Sequence, residues 1–172
     1  MKRSIVRTVI AIAILSVSMA AIAKDKKYQK DQDNYVCSNE DLVGEWGTTM
    51  TGTIFAATPV TIATVNRTTY ESAGQYWGKQ TRNLNGVASW FTFRGTYILN
   101  PDCTGTKETT GYDSNGNPTN LLKQDFVLIK GARELIEIST SNTLLPSSII
   151  VPTLITGHSY KLFRECEDEN ER

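Results

Sequence analysis

Phe91-Thr92-Phe93-Arg94-Gly95-Thr96-Tyr97-Ile98-Leu99-Asn100-Pro101-Asp102-Cys103-Thr104-Gly105-Thr106 reads as a strand, a tight turn that carries a cysteine, and the start of a second strand. Counting from Val87, one parity is Val87, Ser89, Phe91, Phe93, Gly95, Tyr97 and Leu99, and the other, Ala88, Trp90, Thr92, Arg94, Thr96 and Ile98, is more mixed. A period of two is the mark of a strand with one buried face. Asn100-Pro101-Asp102 supplies turn chemistry, because proline presets φ and the Asn and Asp side chains bond nearby backbone amides. The stretch decides the architecture and points to a redox compartment, but it carries no activity by itself.

Outward from it, eight strand-like segments follow one another: 42–55, 60–70, 75–83, 87–99, 104–112, 122–129, 134–140 and 149–163. Turn signals separate them, of which Asn85-Gly86 and Asn115-Gly116 are the strongest tight-turn dipeptides. No long segment carries a 3.6-residue apolar period, so the chain is all-β. Eight antiparallel strands in short sequential order predict an up-and-down barrel, which has no edge strands, with a β-sandwich as the alternative. Pro152 demotes its part of the last segment to a bulge or an edge. Glycines at 44, 47, 52, 78, 95 and 105 suit the bends of a small barrel.

The ends of the 172-residue chain read differently. Lys2, Arg3 and Arg7 precede an apolar run, and Ala21-Ile22-Ala23 gives a cleavage site, so residues 1–23 read as a signal peptide. A flexible leader over 24–36, one barrel domain over 37–164 and an acidic disordered tail over 165–172 complete the expected organisation, with export to a periplasmic or extracellular space and no membrane insertion after cleavage. Removing the three basic residues of the signal leaves 15 Lys and Arg against 18 Asp and Glu, a net charge of −3. That balance argues against a general nucleic-acid binder. All three cysteines, Cys37, Cys103 and Cys166, lie in the exported part, where two of them are expected to pair. Cys37–Cys103 is the favoured pairing, since one precedes the first strand and the other sits in a hairpin turn. Cys166 stands among carboxylates, which disfavour a reactive thiolate, and is left to replace Cys37 or to link two chains.

Gly44-Glu45-Trp46 at the start of the first strand is the G-x-W of lipocalin-like and avidin-like barrels: the glycine bends the chain, the tryptophan plugs one end, and Arg164 is the cation expected over its ring. A longer pattern joins it: Cys37-Ser38-Asn39, Leu42-Val43-Gly44-Glu45-Trp46-Gly47, Thr51-Gly52-Thr53, Phe93-Arg94-Gly95-Thr96-Tyr97 and Asn100-Pro101-Asp102-Cys103-Thr104-Gly105-Thr106. This pattern resembles a family of small secreted bacterial proteins that are themselves similar to lipocalin-like and allene-oxide-cyclase-like, calycin-type barrels. The resemblance implies a barrel, a secreted life and the pairing of Cys37 with Cys103, and it brings no catalytic residue.

Several residues are candidates for chemistry. His158, the one histidine, has no H-x-H or H-E-x-x-H spacing and reads as a structural or surface residue; no metal site and no cofactor is expected. No G-x-S-x-G occurs. Among Glu108, Asp113, Asp125, Glu134 and Glu137, the last is the catalytic candidate, because it alternates with Ile136 and Ile138. With the isoleucines outside, Glu137 would face the lumen; the ordinary expectation puts the isoleucines inside and Glu137 in solvent. Asp113-Ser114-Asn115-Gly116-Asn117 has a passing likeness to a calcium loop that a hairpin turn explains. Asn66-Arg67-Thr68 is a glycosylation sequon. The aromatics, Trp46, Tyr76, Trp77, Trp90, Phe91, Phe93, Tyr97, Phe126 and Tyr160, either line a cavity or fill a solid barrel.

The expected function is binding of a small apolar or amphipathic ligand in the lumen, with Trp46, Phe91, Phe93 and Tyr97 as wall and Arg94 as polar anchor. A cyclase- or isomerase-type enzyme and a filled barrel serving interaction or structure are the alternatives, with enzymatic activity the less favoured.

Overall fold

The computed structural model describes residues 36–129 and 131–162. The expected signal segment 1–23, the leader as far as residue 35, Arg164, Cys166 and the acidic tail 165–172 lie outside the described residues. A short 3-10 turn, Asn39–Leu42, leads into nine strands: β1 (Gly44–Ile54), β2 (Val60–Tyr70), β3 (Gln75–Leu84), β4 (Val87–Leu99), β5 (Thr104–Tyr112), β6 (Pro118–Ile129), β7 (Glu134–Leu144), β8 (Ile149–Ile150) and β9 (Thr153–Lys161). Among the described residues no helix is long and apolar enough to cross a membrane.

Sequential antiparallel pairing runs from β1 to β7, and β9 then bridges β7 and β1. The ring closes, so the fold is an eight-stranded antiparallel barrel rather than a sandwich. The two-residue β8 is an extra rung on the end of β7. Pro152 separates β8 from β9, as a residue without an N–H must interrupt a ladder. The Asn85-Gly86 turn has φ of 48° and 92° at its two central positions, the left-handed pair that a two-residue hairpin requires.

Strand parity sorts the side chains. On β4, Phe93, Tyr97 and Leu99 are buried while Trp90, Thr92, Arg94, Thr96 and Ile98 are exposed. The connections around residues 71–74, 100–103 and 131–133 gather at one end of the barrel, together with the 3-10 turn. There Leu42, Trp46, Tyr70, Tyr76, Tyr97, Leu99, Phe126, Leu128 and Leu135 form a continuous core. Tyr70 stacks on Tyr76 and meets Tyr97 edge-on, both with centroids 5.2 Å apart. Such pairs add about 1 kcal/mol each beyond the area they bury.

Trp46 is fully buried, and its Nε1 donates to the Leu42 carbonyl at 2.7 Å. Gly44 has φ of +117°, a conformation that side chains avoid, and this is the bend that lets the next residues plug the barrel. Lys161 lies over the Trp46 ring, its Nζ 5.7 Å from the centroid, and donates to the Asp41 carbonyl at 2.9 Å.

Cys37 and Cys103 form a disulfide with a Cα–Cα distance of 5.1 Å, closing a loop of 66 residues. It staples the 3-10 turn to the β4–β5 hairpin, where the Cys37 amide also donates to the Pro101 carbonyl at 3.1 Å. The chain-entropy model assigns such a loop about 4 kcal/mol. A C37S/C103S double variant is therefore expected to unfold in urea with about 4 kcal/mol less stability than the oxidised parent. Coincident unfolding curves for the two would show that the turn is held without the bridge.

Candidate functional site

The lumen is layered along the barrel axis. Above the aromatic floor lies a polar belt whose centre is an ion pair between Lys107 of β5 and Glu137 of β7. Both are buried, at 6% and 3% exposure. Bare charges in such a place cost several kcal/mol each, so their remaining polar atoms must be satisfied. The Lys107 ammonium donates to the Tyr70 hydroxyl at 3.3 Å and is surrounded by the rings of Tyr70, Tyr76 and Phe126, with centroids 5.8–5.9 Å away. Gln124 Nε2 donates to Glu137 at 3.0 Å. The Gln124 carbonyl accepts from Thr109 at 3.3 Å, and Thr109 in turn is hydrogen-bonded to the Tyr76 hydroxyl. The belt is thus a chain running from Tyr70 through Lys107, Glu137, Gln124 and Thr109 to Tyr76. On the other side, Thr48 and Ser159 share a hydrogen bond of 2.8 Å.

Local sequence makes this possible. The inward positions of β5 are Gly105, Lys107, Thr109 and Gly111, small residues that leave a long lysine room. On β9 the inward position facing Glu137 is Gly157, where a Cβ would lie 2.7 Å from the Glu137 Cγ. The glycine is what lets the carboxylate fold down into the barrel.

The belt is nearly full. The space within it is about 50 Å³, room for water but not for an organic ligand. Toward the other end, where the connections at 55–59, 85–86 and 113–117 gather, a second space of about 210 Å³ opens. Met50, Ile62 and Ile155 form its apolar wall, with Ile54, Leu84 and Leu122 packed against them. Gln80, Arg82, Phe91, Asn120 and Asn142 complete the lining.

The residues singled out from the sequence fall in different layers. Glu137 faces the lumen, while Ile136 and Ile138 stand outside at 50% and 42% exposure, the reverse of the ordinary expectation. The outer surface of an eight-stranded barrel is solvent-facing, and in so narrow a lumen the pair partner Lys107 decides which parity turns in. Trp46 and Tyr97 belong to the floor; the Tyr97 hydroxyl is used up on the Glu71 carbonyl at 2.6 Å. Phe93 lines the belt and Phe91 the mouth. Arg94 is on the outer surface, its Nε donating to the Tyr112 hydroxyl at 2.7 Å, so it stands apart from the lumen. Parity excludes it from the role of anchor.

The other candidates have local explanations. His158 is on the outer face, 3.1 Å from Glu134 and in ring contact with Tyr160. The Asp113 carboxylate accepts from the amides of Asn115 and Asn117 at 2.9 Å each, capping its own hairpin turn. Those bonds to Asn117 and Asn115 hold its carboxyl below the usual range. No cluster able to hold a metal ion occurs among the described residues. Asn66, the sequon residue, is half-buried, lines the belt and donates to the Met50 sulfur at 3.7 Å, which turns it away from a glycan. Lys107, Gln124 and Arg82 were not apparent as site residues. The signal for each was its place on an inward parity: Lys107 between Gly105 and Thr109, and Arg82 between Gln80 and Leu84.

No protein family matches the chain, and no curated protein does. Among solved structures, the fluorescence-activating protein EF1p2_mFAP2b bound to DFHBI aligns over 73% of this chain and 97% of its own, with 10% identity and a TM-score of 0.52. The S-type phycobiliprotein lyase CPES from Guillardia theta aligns over 74% of this chain and 92% of its own, with 9% identity and a TM-score of 0.44. The first likeness is one of fold, a lipocalin-like eight-stranded barrel.

Two outcomes follow from the belt. Lys107→Met leaves Glu137 buried without its cation and is expected to cost about 3–5 kcal/mol in urea unfolding, and adding Glu137→Leu is expected to recover most of that loss. A double variant no more stable than the single one would contradict the pairing. Burial, with the Glu137 and Tyr97 charges adding to it, holds the Tyr70 hydroxyl well above 10, and burial likewise raises Tyr76 and pushes Tyr97 up to about 12. The folded state therefore keeps protons that the unfolded chain gives up, so stability falls as pH rises from 10 toward 12. Phenolate absorbance in that window is expected to show these three of the seven tyrosines ionising only as far-UV circular dichroism is lost. Ionisation of all seven before unfolding would refute the buried aromatic floor.

Proposed function

We propose that this chain is an exported barrel that binds one small apolar or amphipathic molecule at the mouth end of its lumen. The observation that carries the reading is the space of about 210 Å³ walled by Met50, Ile62 and Ile155 above a nearly filled polar belt. An apolar cavity of about 150 Å³ in a protein core already accepts benzene. A cavity somewhat larger, open to solvent and carrying a few polar groups at its base, has the make-up of a ligand site. Phe91 supplies one aromatic wall of it; Trp46 and Tyr97 serve as floor instead. The Cys37–Cys103 bridge supports an oxidising destination, in keeping with the signal segment read at 1–23 and with a secreted or periplasmic life.

The cyclase or isomerase reading loses support, since Glu137 is engaged by Lys107 and Gln124. The interaction reading keeps one observation: Trp77 and Trp90 stand on the outer face at 44% and 68% exposure. Both lie outside the lumen, so a contact made through them would be independent of it.

Toluene is a suitable probe for the cavity. Saturation-transfer NMR on the oxidised protein is expected to detect toluene binding, and Leu122→Trp, which fills the space between belt and mouth, to weaken it about tenfold or more. An unaltered toluene affinity in that variant would move the site elsewhere, and no toluene binding to the parent would end the carrier reading.

A further inference from the structure

Three buried polar side-chain atoms among the described residues lack a hydrogen-bond partner: Thr64 Oγ1, Asn66 Oδ1 and Arg82 Nε. They are clustered. Thr64 and Arg82 are opposite each other across β2 and β3, and Asn66 is the next inward residue of β2, opposite Gln80. The whole shortfall thus falls on one patch of lumen wall, at the junction of the belt and the mouth. Burying an unpaired polar group is costly compared with an apolar side chain of the same shape, and a folded protein keeps few of them.

Arg82 is the decisive member. Among the described residues no carboxylate is paired with it: Glu137, which shares the belt lining with it, is taken by Lys107. Its guanidinium lies over the Phe91 ring, 4.1 Å from the centroid, and its Nε has no hydrogen-bond partner. Burial pulls its pKa from 12.5 down to about 10, so the cation is retained at neutral pH while poorly solvated. Such a group gains most from an anion that forms two parallel hydrogen bonds with its edge.

We infer that the mouth cavity takes a small organic acid, its carboxylate seated on Arg82 and its apolar body between Met50, Ile62 and Ile155. The inference rests on the lumen-binding function proposed above and specifies the ligand class. Thr64 Oγ1, directly across the strand pair, is placed to donate to the same carboxylate. The space of about 210 Å³ accommodates one ring or a short chain behind the acid group.

Three probes with one ring and different charge test this: 4-methylbenzoate, 4-methylbenzyl alcohol and 4-methylbenzylamine, each titrated calorimetrically into the oxidised protein. The acid is expected to bind about tenfold or more tighter than the alcohol, and the amine weakest. In R82M and R82Q the preference for the acid over the alcohol is expected to be lost. Removing an unpaired buried cation is also expected to leave the urea midpoint of R82M no lower than the parent's. Equal affinity of acid and alcohol for the parent, or an acid preference that survives in R82M, overturns the assignment. Should the variants fail to fold, the three-probe comparison on the parent decides alone. Binding of the alcohol without acid preference sinks only this inference, whereas no binding of any probe sinks the lumen-binding reading with it.

Discussion

The buried ion pair of Lys107 and Glu137 is the constraint around which the rest of the barrel is arranged. Two opposite charges in a lumen this narrow are tolerable only if each is fully coordinated. Tyr70, Gln124, Thr109 and Tyr76 supply that coordination, and they come from β2, β6, β5 and β3. A chain of polar contacts across so many strands fixes how the barrel wall closes on itself. It also forces a small residue beside it: a Cβ at Gly157 would collide with the Glu137 side chain. Removing either charge leaves the other buried without its counterion, so the two behave as a unit.

The belt divides the lumen. Below it, aromatic rings and leucines fill the space as a hydrophobic core fills any domain, with Trp46 as the plug and the disulfide holding the turn that carries Leu42. Above it lies the space of about 210 Å³ lined by Met50, Ile62 and Ile155. The question whether the aromatics line a cavity or pack a solid interior therefore has a split answer. Tyr76, Tyr97 and Phe126 are filling, whereas Phe91 faces open space next to Arg82.

Much of this was legible in the sequence, and the part that was not has a clear cause. Alternation along 87–99 and the Asn-Gly turns gave strand ends within a few residues of those observed, because period and turn chemistry are local properties. Pairing of Cys37 with Cys103 was legible for the same reason, one cysteine lying just ahead of β1 and the other in a hairpin turn. Inside-versus-outside at Glu137 was not local. Its alternation with two isoleucines fits both parities, and only the lysine on a strand two positions around the barrel settles the choice. Arg94 is the opposite lesson, since its own parity with Trp90 and Ile98 already placed it outside the lumen.

The central proposal is that the belt fills the middle of the lumen, so that a guest entering the barrel is held in the space above it. Methyl NMR of the folded protein during titration with toluene tests it directly. The account predicts chemical-shift changes at the methyls of Met50, Ile62 and Ile155, with those of Leu128 and Leu135 below the belt unmoved. Shifts of Leu128 and Leu135 that grow in step with the others would mean that the guest passes the ion pair, and would contradict it.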